Sequence, residues 1–175
     1  MNIALSDADI RHALGNGTLI LSYNELAKYK SVEDILRNHH SAIILYINQG
    51  DNSGHWTCLI KHPDRVEFFD SYGGNMNGRP DAEFQFIDKE QRKINYRGAP
   101  YLSKLLYDYA KRGGVVEYNH HQLQKEGAGI ATCGRHCIVR IKTKHLPLNT
   151  YASMIKRFNN IDKVVVDLTK SIIGK

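Results

Sequence analysis

Apolar residues along the chain follow two periods, one typical of strands and one typical of helices. Runs rich in β-branched and aromatic residues, the pattern of strands, occupy residues 42–48, 55–62 and 65–72. The segments between them, residues 50–54 and 62–65, are rich in turn-forming residues. The three runs therefore predict consecutive strands of one sheet.

Helical spacing appears on both sides of these strands. Ser6 suits an N-cap and Leu5 precedes it, so a short N-terminal helix is predicted. Residues 23–37 predict a helix in two pieces that break near Ser31, which is itself a good N-cap. Apolar residues at helical spacing predict further helices over residues 100–112, 132–144 and 150–159.

Two later segments, residues 115–124 and 163–168, predict additional strands. The polar, glycine-rich segment 73–80 is interpreted as a loop, because apolar elements resume shortly after it. Helices packed around one central mixed β-sheet make the expected fold class α+β. We expect one domain over residues 1–175.

Length and charge exclude several classes of protein. A chain of 175 residues with 42% hydrophobic residues can bury a core without disulfide or metal staples. The longest apolar run, residues 42–47, is far shorter than the ~20 residues of a membrane span. Charged residues at Asp7, Asp9 and Arg11 interrupt any signal-peptide core, so we expect a protein that is not secreted.

The strand pattern brings a histidine and a carboxylate together. A hairpin with its turn at Pro63 and Asp64 places Thr57 opposite Asp70. His55 then shares a sheet face with Asp70 as its diagonal neighbour, within reach of a hydrogen bond. An aspartate that only ends a strand and an ordinary loop histidine fit the same pattern, so the pair alone leaves both interpretations open.

A cysteine with the features of a nucleophile follows a loop of small residues. Residues 127–131 lead into the helix predicted at 132–144, which places Cys133 at its N-terminus. The helix dipole and free backbone N–H groups favour a thiolate there. Gly134 beside it is expected to let a substrate approach the backbone. Cys58 and Cys137 are better explained as small core residues.

The same segment resembles two other kinds of site incompletely. Residues 129–136 nearly match a phosphate-binding loop, but they lack its Lys and its Ser or Thr. A zinc site is also conceivable, but no C-x-x-C pair is present and four-ligand geometry is not suggested. The candidate ligands of such a zinc site are Cys133, His136 and Cys137 with His120 and His121.

With His55, Asp70 and Cys133 in this order, the sequence resembles the adenovirus-proteinase-like and SUMO-protease-like cysteine peptidases of the adenain family. The matching motifs are Gly-His-Trp at 54–56, Phe-Asp-Ser-Tyr-Gly at 69–73 and Thr-Cys-Gly at 132–134. The resemblance runs from about Asp9 to about Lys144. It is greatest to maturation proteases of virophages, large DNA viruses and self-synthesising transposons.

The resemblance implies a role for each of these residues. Cys133 is the expected nucleophile, His55 its acid–base partner and Asp70 the residue that orients the histidine. In this family a Gln shortly before the Cys donates a hydrogen bond to the oxyanion. Gln124 is preferred to Gln122 for this role, because it lies nearer to the loop leading to Cys133.

Substrate and partners follow from the same resemblance. Trp56 is expected to narrow a channel before the scissile bond, so that small residues, Gly above all, precede the cleavage site. No metal or organic cofactor is expected, and no membrane. The expected location is the virion and the virus factory in the host-cell cytoplasm.

Three functions remain open at this point. The leading one is a cysteine endopeptidase that processes capsid or core precursor proteins during virion maturation, with an activating peptide as a further expected partner. The second is a peptidase that removes ubiquitin-like modifiers. The third is a basic nucleic-acid-binding module, which the net charge of +6 permits. For the peptidase itself, DNA is a further expected partner, contacted through Lys142, Lys144, Lys156 and Arg157.

Overall fold

The computed structural model describes residues 3–47, 54–73, 100–127 and 129–175. Most of the turn predicted at residues 50–54 and of the loop predicted at 73–80 lies outside the described residues. The described elements are, in chain order, helix α1 (Asp7–Leu14), strand β1 (Leu19–Ser22), a 3₁₀ helix (Tyr23–Lys28), α2 (Val32–Ile35), β2 (Ser41–Ile47), β3 (Gly54–Lys61), β4 (Val66–Phe69), α3 (Tyr101–Lys111), β5 (Val116–Tyr118), α4 (Cys133–Lys142), α5 (Leu148–Ile155) and α6 (Ile161–Ile173).

The five strands form one mixed sheet in the order β1-β2-β3-β4-β5. Strand β3 is antiparallel to β2 and β4, whereas β1 is parallel to β2 and β5 is parallel to β4. One buried cluster joins the sheet to α1, α4, α5 and α6, and a second joins it to the 3₁₀ helix, α2 and α3. The predicted α+β class, with helices packed on a mixed sheet, is therefore confirmed.

The hairpin predicted between β3 and β4 forms in the expected register. Cys58 pairs with Phe69, and Leu59 pairs with Phe68. The backbone N–H of His62 donates to the carbonyl of Arg65 at 2.9 Å, which closes the turn. Continued by one residue, this register places Asp70, which follows β4, opposite Thr57 of β3. His55 lies two residues before Thr57 on the same strand.

The predicted helix boundaries are confirmed in several places. At α1 the Ser6 hydroxyl accepts from the Asp9 N–H while the Asp9 carboxylate accepts from the Ser6 N–H, a capping box. The segment 23–37 does break before Ser31, whose hydroxyl accepts from the N–H of Asp34. The helices predicted over 100–112 and 132–144 form as α3 and α4, whereas the one predicted over 150–159 forms earlier, as α5 over Leu148–Ile155.

The strand predicted over residues 115–124 is shorter than expected. β5 ends at Tyr118, because the Asn119 side chain donates to the carbonyls of Asp70 and His121 and turns the chain out of the sheet. The next residues pair with a loop instead, and the N–H of Gln124 donates to the carbonyl of Ser71. Gln122 and Gln124 therefore do not lie on a strand face.

The strand predicted over residues 163–168 is wrong, because this segment lies inside helix α6. The run Val164–Val166 favours a strand locally. However, the Asn160 side chain caps the helix, and Lys163 pairs with Asp167 one turn later. Burial of Val165 against the core then selects the helix. Strand β1 was not predicted, since its four residues give little pattern.

Within the described residues, no helix combines the length and apolar character needed to cross a membrane.

Candidate active site

His55 and Asp70 lie on neighbouring strands at one end of the sheet and contact each other directly. The imidazole Nε2 is 2.8 Å from Asp70 Oδ1, and both side chains are buried. The same carboxylate oxygen accepts from the backbone N–H of Tyr72 at 2.9 Å, which fixes its position. The structure therefore brings together the histidine and the carboxylate that strand register paired in the sequence.

Cys133 is the first residue of α4, as the sequence predicts. Its sulfur accepts from the backbone N–H of Trp56 at 3.4 Å, so the strand that carries His55 also contacts the thiol. Unpaired N–H groups at a helix N-terminus give this end a partial positive charge, which favours a thiolate.

The ionisation of Cys133 and His55 is coupled. Burial alone would favour the neutral imidazole, but the charge and hydrogen bond of Asp70, followed by those of Cys133, raise the pKa of His55 to about 10. Burial likewise opposes the thiolate, yet His55 and the N–H groups of Trp56 and Gly134 lower the pKa of Cys133 below its usual value. Both shifts favour a thiolate–imidazolium pair over the neutral thiol and imidazole.

Gln124 lines the same cleft as His55 and Cys133, and its amide is held by two side-chain contacts. Its Oε1 accepts from the Ser71 hydroxyl at 2.7 Å, and its Nε2 lies 3.3 Å from the hydroxyl of Tyr72. Because the oxygen is occupied by Ser71, the amide NH₂ group is directed away from Ser71. Gln122 is exposed, and its side chain donates to the Gln124 carbonyl at 3.5 Å.

A cleft of about 880 Å³ runs past these side chains, with His55, Trp56, Gln124 and Cys133 in its wall. Trp56 is fixed by a hydrogen bond from its indole N–H to the Leu5 carbonyl at 3.0 Å. The cleft continues between the start of α1 and strand β1.

Gly134 has a different role from the one expected. A Cβ at this position would lie 3.1 Å from Trp56 Cδ1 and 3.3 Å from Leu5 Cβ. The glycine therefore makes room for the tryptophan that lines the cleft, and its backbone is covered by protein rather than open to a substrate.

The other two cysteines are buried in the core, as predicted. Cys58 and Cys137 are fully inaccessible, and burial followed by a hydrogen bond with Cys58 raises the pKa of Cys137 well above its usual value. Neither thiol is therefore suited to nucleophilic attack. In the part of the chain that the structure describes, no group of three His, Cys, Asp or Glu side chains is arranged to hold a metal ion.

Sequence reasoning missed three side chains that shape this site. Tyr72 stacks on His55 with ring centroids 4.7 Å apart, and burial together with the charges of Cys133 and Asp70 raises its pKa to about 12. Ser71 orients Gln124, and Asp162 contacts the segment before Cys133. Ser71 and Tyr72 belong to the Phe-Asp-Ser-Tyr-Gly motif at 69–73, which pointed to their neighbourhood but not to their contacts with Gln124 and His55.

Comparison with known proteins gives one clear relative. No protein-family model matches the chain. It is 36% identical over 166 residues to "Uncharacterized protein V9" of the Sputnik virophage, across 94% of this chain and 90% of that protein. A solved structure of ChlaDub1 from Chlamydia trachomatis is 15% identical and covers 95% of this chain and 74% of its own, with a TM-score of 0.34. A TM-score this low does not establish a shared fold.

Proposed function

The chain belongs to the family of the Sputnik virophage protein V9, and we propose that it is a cysteine peptidase. The observation that carries the proposal is the contact of His55 with Asp70 on one side and Cys133 on the other, in the wall of a cleft. A nucleophile, a base within reach and a group that orients the base are the elements of covalent acyl transfer. The order of these residues, and their resemblance to the adenain family, supports the same proposal.

The proposed reaction begins with attack of the Cys133 thiolate on the carbonyl carbon of the scissile peptide bond. Because Nε2 of His55 contacts Asp70, the proton for the leaving amine comes from Nδ1. Breakage of the C–N bond leaves a thioester on Cys133. Neutral His55 then removes a proton from water, and the oxygen of this water attacks the thioester carbon. The C–S bond breaks, which releases the acid and restores the Cys133 thiolate beside protonated His55.

Two donors are proposed to stabilise the oxyanion formed in each step. One is the backbone N–H of Cys133 at the start of α4, and the other is the side-chain amide of Gln124. The hydrogen bond between Ser71 and Gln124 Oε1 orients this amide before substrate binds. Such prearranged donors contribute most when they do not have to reorganise during the reaction.

The proposed substrate has small residues, Gly above all, immediately before the scissile bond. Trp56 is held rigidly in the cleft wall by Leu5 and packs against the backbone of Gly134, next to the nucleophile. Bulky side chains at this point of the cleft would collide with the indole. A peptide library cleaved equally well after Leu, Phe and Gly would contradict this selectivity.

The proposed biological substrates are capsid or core precursor proteins. Membership of a family that includes a virophage protein supports a viral setting. Maturation of a virion requires a limited number of cuts in folded precursors, which suits the selectivity for small residues proposed beside Trp56. The proposed site of action is the virion and the virus factory of the host cell.

The test is turnover of a fluorogenic peptide that ends in Gly-Gly before its coumarin leaving group. We expect cleavage by the wild-type protein and none by Cys133→Ala. Cys137→Ser is the matched control, since a serine hydroxyl can still donate to the Trp56 carbonyl that Cys137 contacts at 3.5 Å. Wild-type turnover by Cys133→Ala, or loss of turnover only in Cys137→Ser, would refute the proposal.

The physiological substrate is tested by incubating the protein with a candidate capsid precursor and, separately, with a ubiquitin-like fusion protein. We expect cleavage of the precursor that is abolished by Cys133→Ala. Cleavage of the fusion protein alone would instead favour removal of ubiquitin-like modifiers.

A further inference from the structure

A buried carboxylate of helix α6 contacts two segments that both lead to the candidate site. Asp162, the second residue of α6, is 1% exposed. Its Oδ1 accepts from the Thr132 hydroxyl at 2.5 Å and lies 3.0 Å from His136 Nε2. Its Oδ2 accepts from the backbone N–H of Lys125 at 3.1 Å. One carboxylate therefore links α6, α4 and the segment that follows β5.

The contacted residues are direct neighbours of the two proposed oxyanion donors. Thr132 immediately precedes Cys133, whose backbone N–H is one donor. Lys125 immediately follows Gln124, whose side-chain amide is the other. Asp162 thus holds the two donor-bearing segments through its two oxygen atoms.

The charges of this cluster make its contacts strong. Burial alone would raise the pKa of Asp162, but hydrogen bonds from His136, Thr132 and Lys125 lower it, so the carboxylate is ionised near neutral pH. Burial lowers the pKa of His136, so its ring is neutral and Nε2–H donates to Asp162. Charge-assisted hydrogen bonds of this kind are stronger than neutral ones.

We propose that Asp162 is a positioning residue that sets the spacing between the Gln124 amide and the backbone N–H of Cys133. This role rests on the proposed peptidase activity. Asp162 acts on the oxyanion donors and not on the thiolate–imidazolium pair, because its hydrogen bonds within the described residues go to Lys125, Thr132 and His136 and not to His55, Asp70 or Cys133. Loss of the carboxylate should therefore slow the chemical step while the reactivity of the Cys133 thiol is kept.

The first test is Asp162→Asn, which keeps the shape of the side chain but replaces one acceptor oxygen by an NH₂ donor. The amide loses the charge that strengthens all three hydrogen bonds, and its NH₂ group must either face the Lys125 N–H donor or reverse the hydrogen bonds to Thr132 and His136. We expect kcat for the Gly-Gly coumarin peptide to fall about 10- to 100-fold, short of the loss of an entire oxyanion donor. KM and the pH profile of Cys133 alkylation by iodoacetamide should be unchanged.

The second test is a double-mutant cycle with Gln124→Ala. If Asp162 acts by positioning the Gln124 amide, Asp162→Asn should reduce kcat much less in the Gln124→Ala protein than in the wild type. Equal losses in both proteins would overturn the role, because they would show that Asp162 acts independently of Gln124. An unchanged kcat in Asp162→Asn would overturn it as well.

Two threonines provide a milder variant and a matched control. Thr132→Val removes only the hydroxyl bonded to Asp162 and should lower kcat in the same direction, which keeps the proposal testable if Asp162→Asn does not fold. Thr169→Val removes a buried hydroxyl of the same helix, one that contacts Arg135 and not Asp162, and should leave kcat unchanged. An equal loss of kcat in both threonine variants would refute specific positioning.

Failure of the peptidase proposal itself gives a different result. In that case the wild-type protein does not cleave the peptide, or Cys133→Ala cleaves it as fast as wild type. Either result refutes the positioning role of Asp162 together with the peptidase proposal. If wild type cleaves the peptide, Cys133→Ala does not, and Asp162→Asn matches wild type, only the positioning role is overturned.

Discussion

His55 contacts two groups whose charges favour its protonated form. Asp70 lies against Nε2, and Cys133 is hydrogen-bonded to the same ring. The pair is reactive between the lowered pKa of Cys133 and the pKa of His55 at about 10. Activity should therefore rise with pH as the thiol ionises and fall only when His55 loses its proton.

Asp70→Asn should move the falling limb of this pH profile to lower pH. The substitution removes the negative charge that raises the pKa of His55, so the imidazolium loses its proton at a lower pH. It should also reduce kcat, because the imidazolium formed during catalysis loses its support. The measurement is kcat/KM against pH, with the exposed Asp64, which pairs only with Arg65 in the described hydrogen bonds, changed to Asn as control. An unshifted basic limb in Asp70→Asn would contradict the assignment.

Gln124→Ala should lower kcat by about 10²- to 10³-fold, the usual cost of removing one oxyanion donor. KM should change little, since the amide is proposed to bind the transition state rather than the substrate. Gln122→Ala is the control, because that side chain is exposed and does not line the cleft. A larger loss for Gln122→Ala would transfer the role two residues upstream.

Among the elements, helix α4 is fixed to the sheet by a buried ion pair. Arg140 Nε and Nη2 donate to the two carboxylate oxygens of Glu67 on β4, each at 2.8 Å, and both side chains are fully buried. The same guanidinium lies over the Tyr151 ring at 5.1 Å and donates to two backbone carbonyls. The helix that begins at Cys133 is thereby held at its far end.

Arg140→Leu should destabilise the protein by about 3–5 kcal/mol, because it leaves the Glu67 charge buried without its main partner. Urea unfolding measures this cost. Arg112→Ala is the control. It removes an exposed pair in which Nη2 donates to both carboxylate oxygens of Glu33, and it should cost only about 0–1 kcal/mol. A similar cost for both variants would show that the Arg140 pair does not fix α4.

The sequence predicted those elements whose signals are local. The β3–β4 hairpin depends on Pro63 and Asp64 and on alternation within a few residues, so its register, and with it the His55–Asp70 contact, could be derived. The helix start at Cys133 could be predicted because its signal is also local, a loop of small residues followed by apolar residues at helical spacing.

Other features depend on contacts that are distant in sequence. Val164–Val166 favours a strand by intrinsic preference, and burial of Val165 against α4 and its neighbours reverses that preference. Gln124 is oriented by Ser71, which lies 53 residues away, and Asp162 meets Thr132 across 30 residues. Such pairings leave no periodic signal, so only the structure reveals them.

At the scale of the whole molecule, a net charge of +6 is not required by the proposed chemistry. Four of the cations lie at or just beyond the C-terminal ends of α4 and α5, namely Lys142, Lys144, Lys156 and Arg157. Cations at these helix ends also interact favourably with the helix dipoles. Contact with the phosphates of a packaged genome is the functional alternative that we propose.

Binding to non-specific duplex DNA should weaken with salt with a slope of about −3 in log affinity against log salt, if about three to four phosphates are contacted. Changing the four cations to Gln should flatten this slope, and the peptidase activity on a short peptide should remain. A fluorescence-anisotropy titration at several salt concentrations measures both proteins. Undetectable binding at low salt, or a slope unaffected by the substitutions, would leave these cations with a structural role only.

The central claim is that Cys133 forms a covalent bond with the carbonyl side of a substrate, and trapping tests it most directly. A Gly-Gly peptide whose terminal carboxyl is replaced by an α,β-unsaturated methyl ester adds a thiolate to its double bond with no leaving group. Incubated with the protein at neutral pH, it should add one probe mass, located on Cys133 by peptide mapping. His55→Ala should abolish the adduct, because the thiol then loses the partner that lowers its pKa. An adduct on Cys58 or Cys137, or equal labelling of Cys133 in His55→Ala, would contradict the claim.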